Sequence, residues 1–306
     1  MTTRIFIDGA AGTTGLEIRE RLQGREEFEL LVLDDAQRKD EGARRDALHA
    51  ADIAILCLPD DAAKEAVKLA EGSNTRIIDA SSAHRVAEGW TYGFPEIIGH
   101  EKIANARLVS NPGCYPTGFL ALVAPLVREG VLRSDWHYTI NAVSGFSGGG
   151  NAMIREFEEN PNLAFRAYAL SFGHKHLPEM KTYAALVHAP LFSPGVIPAF
   201  RGMMVDVTMP VEALHNGADG FEAIHDIWAK WYDSDIILVA EPGKILDLLA
   251  DQQAADLLTV TEMISADRSQ VRLSAWLDNL GKGASGAAIQ NLNIMCGLPE
   301  TTGLRI

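Results

Sequence analysis

Arg4-Ile5-Phe6-Ile7-Asp8-Gly9-Ala10-Ala11-Gly12-Thr13-Thr14-Gly15 is the stretch on which the fold turns. A short apolar strand opens into a turn with glycine at every third position. Leu16, Ile18 and Leu22 then recur among charged residues, as on the buried side of a helix. Strand, glycine turn and helix in that order are the context of a dinucleotide phosphate loop. Glycines let the backbone approach a pyrophosphate, and the helix N-terminus offers N–H groups to it. Gly9, Ala11, Gly12, Thr13, Thr14 and Gly15 are therefore candidate cofactor residues.

Working outward, Phe28-Glu29-Leu30-Leu31-Val32-Leu33 reads as a second strand and ends at Asp34-Asp35. An acid at that point usually holds a ribose 2′-hydroxyl and selects NAD, whereas cations there suit a 2′-phosphate. Gln37-Arg38-Lys39 follows directly, and the basic pair Arg38 and Lys39 carries the expectation of NADP. A buried strand lies within residues 51–59 and precedes a helix from about Asp61 to Glu71. Arg76–Asp79 makes another strand, and its loop brings Ser81 and Arg85 to the sheet edge where such folds hold ligands. The chain from there to Ile97 reads as loop, and Leu108-Val109 as a further strand. Alternation of strand and helix to about residue 115 predicts a doubly wound parallel sheet.

Ser110-Asn111-Pro112-Gly113-Cys114-Tyr115-Pro116-Thr117-Gly118 follows that last strand. Pro112-Gly113 is a turn signal, and the apolar residues 119–124 predict a buried helix over 117–128. A cysteine in a turn at a helix N-terminus is favoured as thiolate, hence as a nucleophile. Cys57, inside an apolar strand, reads as core packing. The three cysteines are far apart and odd in number, which fits a reducing, cytoplasmic compartment and no disulfide framework.

Beyond residue 128 the texture changes. Trp136–Val143 alternates as a half-buried strand and ends at Ser144-Gly145-Phe146-Ser147-Gly148-Gly149-Gly150, whose glycines permit close approach to a ligand. His174 and His176 stand two apart in Gly173-His174-Lys175-His176-Leu177-Pro178-Glu179, facing one side of an extended segment before a helix that starts at Pro178. Val205–Met209 and Val271–Leu277 read as strands, Phe221–Tyr232 as an amphipathic helix, and Ala284 to Met295 as a last helix with an apolar stripe. The expected class is α/β: an N-terminal Rossmann-type parallel sheet, then an α+β domain with a mixed or antiparallel sheet.

Among 306 residues there are 41 acidic and 27 basic side chains, a formal charge of −14. That balance argues against nucleic acid and anionic membrane, and any anion site has to be built locally. CxxC and HExxH spacings are absent, so no metal is expected, and no apolar run approaches a membrane span.

Ser110–Gly118, His174–Glu179, the glycine opening and Gly281-Lys282-Gly283-Ala284-Ser285-Gly286-Ala287-Ala288-Ile289-Gln290-Asn291 together resemble the N-acetyl-γ-glutamyl-phosphate reductases, relatives of aspartate-semialdehyde dehydrogenase. The likeness covers essentially the whole chain and is nearest to the compact branch of that family. It implies NADP as cofactor and a small-molecule acyl phosphate as substrate, with a homo-oligomer, dimer or tetramer, as the assembly. It also implies a dinucleotide-binding domain over 1–115 completed by a returning helix at 284–306, with a catalytic and dimerisation domain over 116–283. Cys114 aligns with the family nucleophile, and His174 or His176 with its acid/base. Arg85 and Asn111 match phosphoryl contacts, Glu179 and Arg201 are candidate holders of the acyl part with Ser144 and Gly145, and Asn291 joins Ser81 on the cofactor side. Two alternatives are an aspartate-semialdehyde dehydrogenase or related acyl-phosphate reductase, and an inactive NADP-binding protein. Intact Cys114 and histidines argue against the second.

Overall fold

A computed structural model describes residues 2–34, 36–243 and 245–306, so Asp35 of the acidic pair lies outside the described residues. The chain divides into two compact units, Met1–Pro112 with Ala284–Leu304, and Gly113–Gly283 with Arg305–Ile306.

In the first unit, β1 (Thr3–Asp8), α1 (Thr13–Leu22), β2 (Phe28–Leu31), α2 (Glu41–Ala50), β3 (Ile53–Leu56), α3 (Asp60–Leu69) and β4 (Arg76–Asp79) alternate as expected. The segment read as loop holds β5 (Thr91–Tyr92) and two short helices, α4 (Pro95–Ile98) and α5 (His100–Asn105), ahead of β6 (Leu108–Ser110). Among the described residues these strands form one six-stranded sheet ordered β2-β1-β3-β4-β6-β5, parallel at every pairing.

The second unit opens with α6 (Cys114–Arg128), which starts at the cysteine rather than at Thr117. It continues through β7 (Thr139–Gly145), α7 (Gly150–Glu159), β8 (Arg166–Ala167), α8 (Leu177–Tyr183), β9 (Leu191–Ile197), β10 (Met203–Pro210), α9 (Ile224–Trp231), β11 (Ile237–Val239), β12 (Leu258–Ile264) and β13 (Gln270–Leu277). These strands make a seven-stranded sheet ordered β11-β12-β13-β10-β7-β9-β8. It is mixed: β11–β12 and β7–β9 run parallel and the other pairs antiparallel. The amphipathic stretch at Phe221–Tyr232 splits into a 3-10 turn, Gly217–Ala223, and α9. Helix α6 is buried along most of its length against β10 and β13. Trp228 and Tyr232 donate hydrogen bonds to the carbonyls of Leu122 and Ala121, at 3.2 and 2.6 Å.

The last helix, α10 (Gly286–Met295), belongs to the first unit. Its Ala288, Ile289, Leu292, Ile294 and Met295 share one buried cluster with Ile5, Ile7, Ile18, Leu22, Ile53, Ile55, Ile78 and Val109. No helix among the described residues is long and apolar enough to cross a membrane.

Candidate active site

The first unit carries a cavity of about 670 Å³ at the carboxyl ends of β1, β2 and β3. Gly9, Ala10, Ala11 and Gly12 line it, with Arg19 of α1, Leu30–Leu33, Arg38, Lys39, Arg44, and Cys57 to Pro59. Gly9 has φ +89°, and a Cβ there would lie 2.3 Å from the Cys57 carbonyl oxygen, so only glycine fits. Gly12 caps α1, whose first turn holds no acidic residue, and its N–H bonds the Gly9 carbonyl at 3.0 Å. Thr13, Thr14 and Gly15 form the opening of α1. Asp8 is buried at the end of β1, where its Oδ2 accepts from Arg44 Nε and Nη2 at 3.1 and 2.9 Å. Three further cations, Arg19, Arg38 and Lys39, line the cavity. Glycine turn, open helix end, apolar walls and local cations fit an adenine dinucleotide.

Asp79 closes β4 of the same sheet and is fully buried. It accepts from the Ser81 N–H and hydroxyl at 2.9 and 2.7 Å, and lies 2.6 Å from His84 Nδ1. His84 stacks on Trp90 with ring centroids 4.2 Å apart. This arrangement fixes the loop that carries Arg85, whose Nε donates to the Asn111 carbonyl at 3.0 Å. Asn111 Oδ1 accepts from Asn291 Nδ2 at 3.1 Å, and Asn111 Nδ2 donates to the Ala284 carbonyl at 3.0 Å. Asn291, expected on the cofactor side, is fully buried and also donates to the Gly93 carbonyl. Its visible work is to hold Asn111.

In the second unit, Cys114 is the first residue of α6, half-buried behind its cap Gly113. The positive end of the helix dipole favours an anion at this position. Close approach is built in, because a Cβ on Gly283 would stand 2.9 Å from Cys114 Cβ. Glu179, 1% exposed, turns to the cysteine, and its Oε2 accepts the Gly113 N–H at 3.2 Å. That bond ties the histidine segment to the nucleophile turn. His174 packs among Tyr115, Tyr168, His176 and Phe192, with centroids 4.6–6.2 Å away. Its Nδ1 accepts the backbone N–H of His176 at 3.2 Å, which orients the ring. His176 is the more buried of the two, with its ring 6.0 Å from Tyr115. Burial pushes the Tyr168 hydroxyl up to about 12 and Tyr115 higher still, so both remain neutral donors.

Ser144 and Gly145 end β7, and the Gly145 N–H bonds the Gly202 carbonyl. Arg201 projects from the neighbouring loop with its side chain 15% exposed. Its Nη1 donates to Asp278 Oδ2 at 2.7 Å, while Asp278 also accepts from the backbone of Ala255 and Leu280. Asp278 escaped the sequence reading, and so did Arg19 and His84. Isolated charged or imidazole residues carry no spacing signal, and only packing reveals what they hold.

Two family models match the chain. One, described as the NAD binding domain of semialdehyde dehydrogenase, covers residues 35–106, and the other, its dimerisation domain, covers 114–279. Similar solved structures include aspartate semialdehyde dehydrogenase from Francisella tularensis (TM-score 0.74, 16% identity, 96% of this chain and 100% of that one). Aspartate semialdehyde dehydrogenase II from Vibrio cholerae is another (TM-score 0.71, 17% identity, 97% and 99%). Likeness at that identity speaks for the fold. Much nearer in sequence is N-acetyl-gamma-glutamyl-phosphate reductase 2 of Nostoc sp., 47% identical over 98% of this chain and 99% of that protein. The N-acetyl-gamma-glutamyl-phosphate reductase of Brucella suis is 46% identical over 97% and 100%. With identity at that level over nearly every residue, and with the glycine loop, cysteine turn and paired histidines in place, the chain belongs to the N-acetyl-γ-glutamyl-phosphate reductase family.

Proposed function

We propose that the chain reduces N-acetyl-γ-glutamyl phosphate to the γ-semialdehyde with release of phosphate, using NADPH, as a step of arginine biosynthesis. The observation that carries this reading is the bond from the Gly113 N–H to Glu179, which joins the cysteine turn and the His174–His176 segment in one unit.

Cys114 is the nucleophile. Its sulfur attacks the acyl carbon, the carbon–oxygen bond to phosphate breaks, and a thioester on Cys114 remains. Arg85, with Asn111 beside it, receives the phosphoryl group, because a guanidinium is matched to phosphate oxygens. NADPH, when bound, supplies the hydride. In its protonated form the His174 ring gives a proton to the oxyanion left when hydride reaches the thioester carbon, and it takes the hydroxyl proton back as the carbon–sulfur bond breaks and Cys114 leaves as thiolate. Its part-exposed ring supports His174 over the buried His176. Glu179 positions the cysteine turn. Arg201, aimed by Asp278, takes the free carboxylate of the substrate.

For the cofactor, Arg19, Arg38 and Lys39 in the cavity support NADP over NAD. The domain matched over 114–279 is described as a dimerisation domain, which supports a homo-oligomer. Three cysteines held as thiols rather than disulfides suit the cytoplasm.

The test runs the reaction backwards with N-acetylglutamate semialdehyde and NADP, beside aspartate semialdehyde. Turnover is expected only with inorganic phosphate or arsenate, and with the acetylated aldehyde preferred. Equal rates without either anion would mean the thioester is hydrolysed and the acyl-phosphate assignment is wrong.

A further inference from the structure

The end of β2 presents contradictory chemistry: an acidic Asp34 that reads as a ribose ligand, followed by two cations. We propose that Asp34 is a positioning residue for cofactor selection. It folds the turn that presents Arg38 and Lys39, and these cations together with Arg19 hold the 2′-phosphate. The proposal rests on the reading of the chain as an NADPH-dependent reductase.

The geometry is that of a reciprocal cap. Asp34 Oδ1 accepts the N–H groups of Ala36 and Gln37, at 2.9 and 2.8 Å, and Gln37 Oε1 accepts the Asp34 N–H at 3.3 Å. The Asp34 carbonyl accepts the Arg38 N–H at 3.0 Å, completing one turn. An acid whose side chain caps N–H groups two and three residues on, answered by a glutamine at the third position, is a capping box. Asp40 then does the same for α2, its Oδ1 accepting the Ala43 N–H at 2.7 Å. Two acids of this segment are thus spent on backbone N–H groups.

Placement supports the same division of labour. Asp34 is exposed and absent from the cavity lining, whereas Arg38 and Lys39 line it from the 3-10 turn Gln37–Lys39, which follows Asp34. Arg19 reaches the lining from α1. Among the described lining residues Asp8 is the acid, and both its bonds go to Arg44. The other charged residues described in the lining, Arg19, Arg38 and Lys39, are cations, in a chain whose formal charge is −14. Such a wall discriminates by one group, the phosphate on the 2′-hydroxyl.

Calorimetric titration of the full chain with 2′,5′-ADP and with 5′-AMP isolates that group without any turnover. Wild type is expected to bind 2′,5′-ADP at least about tenfold more tightly, the effect of one charge-assisted contact. Asp34→Asn keeps the capping oxygen and should stay within about threefold for both probes. Asp34→Ala should weaken 2′,5′-ADP by roughly threefold to thirtyfold, the range of a lost cap, while 5′-AMP is unchanged. Arg19→Gln should also weaken 2′,5′-ADP alone. Thermal unfolding confirms that each variant is folded, and Arg19→Gln leaves the cap intact if Asp34→Ala does not fold.

Equal weakening of both probes by Asp34→Ala would make Asp34 a ribose ligand and overturn the proposal. So would a more than tenfold gain for 2′,5′-ADP in Asp34→Asn, which would mark a repelling acid, or an indifferent Arg19→Gln. Wild type binding both probes equally would sink the NADP reading itself, and the proposal with it. A wild-type preference with the wrong variant pattern would sink the proposal alone.

Discussion

Burial pushes the Cys57 thiol up to about 12, with the carboxylates of Asp79 and Asp8 adding to it, and raises Cys296 too, against the pull of Arg76. Cys114 instead opens a helix whose first turn has no acid, and the Glu179 carboxylate beside that turn is engaged by the Gly113 N–H. Iodoacetamide at pH 7 should therefore label Cys114 first, as thiolate is the reactive form. Peptide mass spectrometry reads all three sites, and earlier labelling of Cys57 or Cys296 would refute an activating turn. The histidines allow a second expectation. His174→Asn should lower kcat by roughly a hundredfold to ten-thousandfold, the usual worth of a proton-transfer group. His176→Asn should cost less and leave the pH profile of kcat in place. The opposite order would transfer the acid/base role to His176. What the sequence made legible at this scale was local setting: a cysteine in a Pro-Gly turn and two histidines before a helix. It did not show that Glu179 faces the Gly113 N–H, because a bond across 66 positions leaves no local pattern.

Local pattern decides elements, and the strands that escaped reading show where it fails. Strand β9 contains Pro194-Gly195, two residues that normally argue against a strand. The structure explains the glycine, since a Cβ there would stand 2.4 Å from the Phe165 ring. The capping box at Asp34–Gln37 has a local signature, an acid answered by a glutamine three residues on, but an acid at a strand end is equally the signature of a ribose ligand. Strand β12 went unread and carries Glu262, buried on the side of α9. Its Oε1 lies 3.0 Å from His225 Nδ1, and its Oε2 has no hydrogen-bond partner among the described residues. Burial raises this carboxyl above its ordinary value, more than the His225 hydrogen bond and charge lower it, and Glu241 adds a small push upward. A carboxyl raised on folding holds its proton more tightly in the folded state. Its contribution to stability is thus present below about pH 4.5 and lost as pH rises through the folded value. Glu262→Gln removes that loss. Its melting temperature relative to wild type should rise from pH 4 to pH 8, and a falling difference would show that the His225 pair outweighs burial.

At the scale of the molecule, the chain leaves its first unit at Pro112 and returns to it at Ala284. The parallel sheet was readable from strand–helix alternation, whereas the return of α10 came from family likeness, since an apolar stripe names no partner. The buried cluster of the first unit makes the consequence quantitative. Ile289, Leu292, Ile294 and Met295 are each at most 7% exposed within it. At roughly 1.5–3 kcal/mol per buried side chain, these four contribute roughly 6–12 kcal/mol. A whole domain is stable by only about 5–15 kcal/mol. Polar ties add to the loss, among them Arg76 Nη1 to the Met295 carbonyl at 2.5 Å and Arg25 Nη1 to Asn293 Oδ1 at 3.1 Å. A chain ending at Gly283 should therefore lose the cooperative melting of its dinucleotide unit and its binding of 2′,5′-ADP. Joining residues 284–304 by a flexible linker to residues 1–112 should restore both in a single small protein, because every member of the cluster is then present. Circular dichroism melts and calorimetry on the two proteins check the expectation. Should the shortened chain melt and bind like the full one, α10 would be a passenger on a unit that is stable without it.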